Sequence, residues 1–530
     1  MSATHNISIT GPAGDHLNAQ QKLSAALGLA GLVIMTISAF NIALQPKVLW
    51  LSLSIGMVAA GIIWYSKASY SGKTAGIKND GVFFKNLTSR GLWAYVLGLI
   101  LTGFYIVLYF FPEFLGLKSD SENTGLVALF DPFSNFLSGN PASQWFVYGT
   151  LYTLAILGFG IKFLWKYRHN SYQRLRTFSV MFFQLGFAFL IPELMARLNS
   201  DNFSLPYYNL TNIWPLNYYN FEQYRVDDFI SAGNIGLALL LFGILSIFVI
   251  TPILTYKYGK RWYCSWVCGC GGLAETAGDS FRHLSDKSTK AWKIERWMVH
   301  SVVVFVVMMT TAVIYTYLGY DAEKYWLTKG VFLFSVAGIL TLVFAWVMIF
   351  KRQELQKDAK YGAIGFFVII ISLIGLHFSG LNNKVFIFEA ETLRSSYGFL
   401  IGSIFSGVVG TGFYPIFGNR VWCRFGCPMA AILGFQQRLF SKFRITTNGG
   451  QCISCGNCST YCEMGIDVRA YAQKGENIVR SSCVGCGICA SVCPRGVLKL
   501  ENDSPKGRIN PKEILLGNDV DLMDLVNQNK

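Results

Sequence analysis

Charged residues and histidines are scarce in this sequence. Only 14% of its 530 residues are charged and 52% are hydrophobic, whereas a soluble globular domain carries about 25% charged residues. This deficit excludes a disordered chain, a collagen-like fibre and a purely cytosolic enzyme. Six histidines against thirteen cysteines make sulfur the expected ligand of any bound metal. The composition therefore predicts an α-helical polytopic membrane protein, embedded in a lipid bilayer.

Ten apolar stretches approach the roughly 20 residues that a helix needs to cross a membrane. Successive loops between these stretches would lie on opposite sides of the membrane. The loops on one side hold 22 lysines and arginines in total, and those on the other side hold 8. Because such residues collect in cytoplasmic loops, both termini are expected in the cytoplasm of a bacterium, with the spans in its inner membrane. The net charge of +15 then reflects these loops and not nucleic-acid binding. The stretches are 24–44, 48–65, 92–111, 145–165, 178–198, 232–254, 299–319, 331–350, 361–380 and 398–417.

The ends of the chain are polar. The first 21 residues lack the basic start and short apolar core of a cleaved signal peptide, so the first helix is expected to serve as its own insertion signal. After about residue 418 the sequence becomes rich in glycine and cysteine, which predicts a C-terminal cytoplasmic α+β domain. We expect four regions: an N-terminal membrane region of about five helices (1–230), a membrane core (231–440), a two-cluster domain (441–500) and a tail (501–530).

Eight cysteines form two runs of the pattern C-x-x-C-x-x-C-x-x-x-C. In ferredoxins that bind two clusters, three closely spaced cysteines hold one 4Fe–4S cluster and the fourth ligates the other cluster. Zinc sites use two close pairs, and disulfides are rare in a reducing cytoplasm. The prediction is cluster A on Cys452, Cys455, Cys458 and Cys493, and cluster B on Cys483, Cys486, Cys489 and Cys462. Glu463 stands where the second run has Pro494.

Two further cysteine pairs, Cys264/Cys268 and Cys423/Cys427, lie in related segments 159 residues apart. Both follow a predicted span that runs toward the cytoplasm, which indicates an internal repeat. Cysteines at i and i+4 share one face of a helix, so the two pairs could supply four thiols to one site. That site could hold a third iron–sulfur cluster, another soft metal or a redox-active dithiol; buried free cysteines are the simpler alternative. Cys270 is an extra thiol without a repeat partner.

The order of these motifs resembles the membrane-bound polyferredoxins of the NapH, NosR and CcoG type over about residues 256–500. Cys423 to Pro428 matches that family's C-x-x-x-C-P motif in full, while Gly269 replaces the proline of the first motif. Four spans separate the motifs where about two are expected, and the first five spans are additional. The resemblance implies a membrane electron-transfer or redox-assembly role, without naming a pathway.

The predicted spans contain few other candidates for chemistry. His300 and His377 lie at opposite ends of their predicted spans and differ in membrane depth by about 20 Å, so they cannot both ligate one haem iron. We identify no haem, flavin or nucleotide site. His377 and Glu193 are minor candidates for a quinone or proton site, with Arg197 a possible partner of Glu193. The aromatic loop 199–228 is expected to lie at the lipid headgroups or to dock a partner.

Three functions remain open on the sequence alone. The leading one is an electron-transfer protein that exchanges single electrons with a redox partner protein or quinone, acting as a carrier or oxidoreductase subunit and not as a stand-alone enzyme. The second is a metallocentre assembly factor or metal (copper) reductase. The weakest is a redox-gated transporter. Metal content distinguishes the first two, because only the second requires a transiently bound metal at the paired cysteines.

Overall fold

The computed structural model describes residues 17–71, 91–119, 121–199, 205–320, 326–355, 357–382, 384–502, 515–516 and 520–521. The start of the chain, part of the basic loop after the second helix and most of the predicted tail lie outside these residues. Within them, nine helices are long and apolar enough to cross a membrane. They are Ala19–Ala39, Lys47–Tyr70, Leu92–Phe110, Gln144–Lys166, Ser171–Leu198, Gly233–Tyr258, Thr289–Tyr317, Lys329–Phe350 and Lys357–Phe378.

The tenth predicted span is helical but irregular, and it is not one of the nine. An α-helix, Ala390–Tyr397, continues as the π-helix Gly398–Gly412 and ends before the turn Tyr414–Phe417. Two of the nine helices also widen into π-helix, at Phe183–Leu190 and Ser246–Ile250. Each π segment precedes a proline by a few residues. A proline ring clashes with the carbonyl four residues earlier, and the wider turn relieves that clash.

Several short helices connect the long ones. The helix Gly125–Ser138 was not predicted; it is largely buried and packs against the first two helices and Ile191–Leu198. Together they enclose a hydrophobic core at the end of the bundle away from the C-terminal domain. The other short helices are Pro112–Leu115, Tyr218–Phe221, Gln223–Ser231, Arg261–Cys264, Gly269–Thr276, Ala277–Leu284, Arg352–Glu354, Trp422–Gly426 and Pro428–Phe440.

Part of the aromatic loop is buried against neighbouring helices, within the described residues 205–228. Tyr208 and Thr211 are each 4% exposed. The Tyr263 hydroxyl, just beyond the helix Gly233–Tyr258, donates to the Thr211 carbonyl at 2.7 Å. The Trp214 indole donates to Thr310 at 3.0 Å. Polar atoms of the loop thus find partners on the surrounding helices, which compensates for the burial of its irregular backbone. Its expected position at the lipid headgroups stays a prediction.

The C-terminal domain has the predicted α+β architecture. Strand Arg444–Thr447 pairs antiparallel with Leu498–Glu501, and between them lie the helices Asn457–Thr460, Val468–Lys474 and Ile488–Ser491. A short turn, Gly449–Gln451, precedes the first cysteine run, and a two-residue strand pair, Leu515–Leu516 with Val520–Asp521, follows the domain. The domain packs on the predicted loops 162–177 and 256–298, so these two basic loops share one end of the helical bundle.

Candidate metal centres

One cavity of the C-terminal domain is lined by the four cysteines that were assigned to cluster A. Cys452, Cys455, Cys458 and Cys493 all border it, although the last is far from the others in sequence. Burial raises the pKa of the Cys458 thiol to about 11, and the negative charges of the other three add to this rise. The four sulfurs thus surround one small space, as a 4Fe–4S cluster requires.

A second cavity is lined by the four cysteines assigned to cluster B: Cys462, Cys483, Cys486 and Cys489. Burial raises the pKa of Cys483 to about 11 and that of Cys486 to about 12. Metal binding needs thiolates, and the positive charge of a bound iron cluster would add to that of Arg282 and Arg176, which oppose the rise at Cys486. Cys489 also lies in electrostatic range of Cys458, which places the two cavities next to each other.

The two paired-cysteine segments have the same backbone geometry. Gly259 and Gly418 have φ of 66° and 95° with ψ near 180°, a conformation that is essentially restricted to glycine. In both segments the amide of the second cysteine donates to a carbonyl five residues earlier, Cys268 to Tyr263 and Cys427 to Trp422, each at 2.9 Å. The internal repeat is therefore structural. Its cysteines do not share a regular helical face, as the spacing had suggested, because a wider turn separates them.

The repeat brings all four paired thiols together in one buried core. Cys264, Cys268, Cys423 and Cys427 are 5–9% exposed and belong to the same hydrophobic cluster. Burial raises the pKa of Cys264 to about 12 and also raises that of Cys423, against the opposing effect of Lys260 and Arg420. The pKa of Cys427 lies well above its ordinary value, first through burial and then through the charges of the other three thiols.

The second cysteine of each pair begins a helix. Cys268 precedes Gly269–Thr276, and Cys427 precedes Pro428–Phe440. The amide of Ala430 donates to the Cys427 sulfur at 3.4 Å. The amide of Gly271 likewise donates to the Cys268 sulfur. Amides at a helix start favour the thiolate form. Cys270 contacts Cys268 through its side chain, so the extra thiol adjoins the same site.

Gly269, which stands in place of the proline of the first motif, lies against a buried side chain of the helical bundle. A Cβ at Gly269 would lie 2.4 Å from Oε1 of Gln184, so a larger residue there would force the Gln184 side chain to move. Gln184 is buried, and its amide nitrogen donates to Thr153 at 3.0 Å. Gln184 belongs to the fifth long helix, so one of the additional N-terminal helices packs directly against the paired-cysteine site.

Glu463, which departs from the expected proline, joins the C-terminal domain to the helical bundle. Its carboxylate is fully buried and accepts from Arg282 at 2.5 Å and from the Asn419 amide at 3.1 Å. It also pairs with the Arg420 guanidinium at 3.1 Å. Burial alone would raise the pKa of Glu463, but Arg282 and Arg420 hold it below its ordinary value. The group is thus a buried, ionised anchor.

Arg420 connects this anchor with the paired cysteines. The guanidinium is fully buried, donates to the Cys423 sulfur at 3.5 Å and forms an ion pair with Glu275. Glu275 also pairs with Arg176 of the fifth long helix. A carboxylate oxygen of Glu463 and one of Glu275 lie within 4.8 Å of the Cys486 sulfur. In the sequence, Arg420 was marked by the recurrence of arginine in both repeats and Glu463 by its place where the second run has a proline, whereas nothing marked Glu275.

The minor candidates lie apart from these cysteines. Both ring nitrogens of His377 are engaged, by the Tyr315 hydroxyl and the Asn382 carbonyl at 2.8 Å each. Glu193 is buried beside the Tyr207 hydroxyl, and Arg197 donates to the carbonyl oxygen of Asn135 at 2.9 Å. Neither His377 nor Glu193 is among the residues that line the two cysteine cavities.

Comparison with known proteins agrees with the motifs. Residues 451–498 match the family model of a 4Fe–4S dicluster domain, and residues 240–288 and 397–446 both match that of a 4Fe–4S binding domain. Over 115 residues the chain is 29% identical to YccM of Escherichia coli (strain K12), whose name proposes an electron transport protein; this covers 21% of the chain and 32% of YccM. No solved structure matches the chain.

These matches support an iron–sulfur electron-transfer protein. They confirm the prediction of 4Fe–4S cofactors, and the cysteine-only donor sets of the two cavities fit such clusters. The dicluster model covers both cysteine runs of the C-terminal domain, here named the ferredoxin domain (residues 444–501). The 4Fe–4S binding model covers both halves of the internal repeat, each of which holds one cysteine pair.

Proposed function

We propose that this chain is a membrane-bound iron–sulfur protein that exchanges single electrons with a redox partner through its ferredoxin domain. The observation that carries the proposal is the pair of adjacent cavities, each lined by four cysteines. Nine membrane-length helices support insertion in a bilayer. The excess of lysine and arginine in alternating loops favours cytoplasmic termini and a bacterial inner-membrane location.

The ligands follow from the cavity linings. Cluster A would be held by Cys452, Cys455, Cys458 and Cys493, and cluster B by Cys462, Cys483, Cys486 and Cys489. When bound, the clusters supply one-electron redox chemistry. The chain's own residues shield cluster B from water and surround it with the ionised groups Glu463 and Arg420, whereas the rim of cluster A stays open.

The paired cysteines would hold a third iron–sulfur centre between the ferredoxin domain and the helical bundle. Three observations support it: the four thiols are buried together, helix-start amides face two of the sulfurs, and a 4Fe–4S binding model matches both halves of the repeat. Within this proposal the chain is similar in kind to the NapH, NosR and CcoG polyferredoxins that its motifs resemble. The electron donor or acceptor would be a partner protein or a quinone.

A metallocentre assembly factor or copper reductase is the second candidate. It is favoured by Cys270, whose thiol adds a fifth sulfur beside Cys268. A site with sulfur donors alone suits soft metals such as Cu(I). In this case the paired cysteines would bind the metal as cargo, and the ferredoxin domain would supply electrons to it.

Metal content separates the two candidates. We would purify the protein without oxygen and measure iron, acid-labile sulfide, copper and zinc per chain. The comparison is with a variant in which Cys264, Cys268, Cys423 and Cys427 are serine. Two 4Fe–4S clusters give about eight irons. A third iron–sulfur centre predicts more than eight in the wild type and about eight in the variant. About eight in both, with copper bound only by the wild type, would make metallocentre assembly the better account.

A further inference from the structure

The two cluster cavities differ in what surrounds them. The glycines beside cluster B are covered by other parts of the chain: a Cβ at Gly485 would lie 2.6 Å from Arg261, and one at Gly487 would lie 2.8 Å from Tyr172. The Tyr172 hydroxyl also donates to the Gly485 carbonyl at 2.9 Å. A soluble molecule therefore has no direct approach to cluster B from this side.

Cluster A has an open rim. Cys455 is exposed, and the neighbouring Ile453 is 59% exposed. Ser454 between them has a φ of 59°, a left-handed conformation that serine rarely adopts. The Gln473 amide donates to its hydroxyl at 2.8 Å and so helps to hold this turn. An apolar side chain is thereby presented to solvent directly beside a cluster ligand.

The charged side chains that line this cavity are both basic. Arg469 and Arg495 border it and are exposed. Neither forms a salt bridge with a carboxylate in the part of the chain that the structure describes. An exposed apolar centre with unpaired basic groups at its edge is the expected composition of a surface that receives an acidic partner.

We propose that Ile453, Arg469 and Arg495 form the docking surface of a soluble, acidic electron-transfer protein. This inference rests on the proposed function and names the partner class for its ferredoxin domain. Opposite charges would steer the partner to the open rim, and Ile453 would pack at the centre of the contact. The partner's cofactor would then lie near Cys455, the exposed ligand of cluster A.

The test uses the intact protein in detergent and an acidic bacterial-type two-cluster ferredoxin as the probe. We would measure the Kd of this probe and the second-order rate at which its reduced form reduces the chain, at several salt concentrations. Arg469→Glu/Arg495→Glu should weaken binding and slow reduction by about tenfold or more at low salt, and the difference should shrink as salt rises.

A matched control carries the same change of charge elsewhere. Lys290 and Lys293 are exposed on the helix Thr289–Tyr317 and do not line the cavity, so Lys290→Glu/Lys293→Glu should leave Kd nearly unchanged. Equal effects of the two double variants, or none in either, would overturn the docking surface. Reduction by dithionite reports separately on the clusters: if dithionite reduces no cluster in the wild type, the proposed function itself fails.

Discussion

Replacing the buried carboxylate of Glu463 should raise the midpoint potential of cluster B. One of its oxygens lies within 4.8 Å of the Cys486 sulfur. At a separation of about 5–7 Å and an effective dielectric constant near 20, a unit charge contributes about 2–3 kcal/mol. For a one-electron couple this corresponds to roughly 100 mV. Glu463→Gln removes a negative charge and leaves Arg282 and Arg420 in excess, so reduction becomes easier and the potential less negative.

The assay is an anaerobic redox titration in which the reduced clusters are followed by electron paramagnetic resonance. Glu476→Gln is the control, because it removes an exposed carboxylate of the same domain whose charge is screened by water and salt. Breaking a buried ion pair costs about 3–5 kcal/mol, so iron content must be measured in the same samples. An unchanged potential of cluster B at full iron content would refute the electrostatic reasoning, as would an equal shift of both clusters.

Other perturbations follow from the same contacts. Gly269→Ala should destabilise the protein by about 1–3 kcal/mol through overpacking, seen as a lower midpoint of thermal unfolding, whereas Gly338→Ala, which meets nothing within 4 Å, should not. The carboxylate of Asp279, in the helix Ala277–Leu284, pairs with Lys166 and Arg282. Burial alone would raise the pKa of Asp279, but these two cations hold it well below the ordinary value. The ionised Asp279 carboxylate therefore stabilises the fold fully above about pH 4, and this stabilisation is lost as the pH falls further. Asp279→Asn should lower the unfolding midpoint at pH 7, and the difference from wild type should narrow in acid. Cys493→Ser should remove the resonance signal of cluster A alone and Cys462→Ser that of cluster B alone; loss of the opposite signal would contradict the crossed ligand assignment.

Much of the molecule could be predicted because its signals are local. Nine of the ten apolar runs form helices long enough to cross a membrane, among the described residues. Cysteine spacing identifies the two sets that line the cavities, including the crossed positions of Cys462 and Cys493. The 159-residue offset reveals the repeat. In each case the residues that decide the structure lie close together in sequence or recur at a fixed distance.

The remaining features depend on partners that are distant in sequence. Glu463 looked like a departure from the ferredoxin pattern, and only the fold brings Arg282 and Arg420 to it. Likewise, nothing in the segment around Gly269 indicates that Gln184 occupies the space of the missing proline ring. The partial burial of the aromatic loop could not be predicted from its composition, because the helices that surround it decide which of its side chains are buried.

The most direct test of the account follows electrons from the ferredoxin domain to the paired cysteines. The wild type and Cys462→Ser would be mixed with the reduced acidic ferredoxin, frozen at increasing times and examined by Mössbauer and electron paramagnetic resonance spectroscopy. We expect a third centre to become reduced after clusters A and B in the wild type. In the Cys462→Ser variant the third centre should be reduced much more slowly. A third centre that is absent, that stays oxidised, or that is reduced equally fast without an intact cluster B would contradict it.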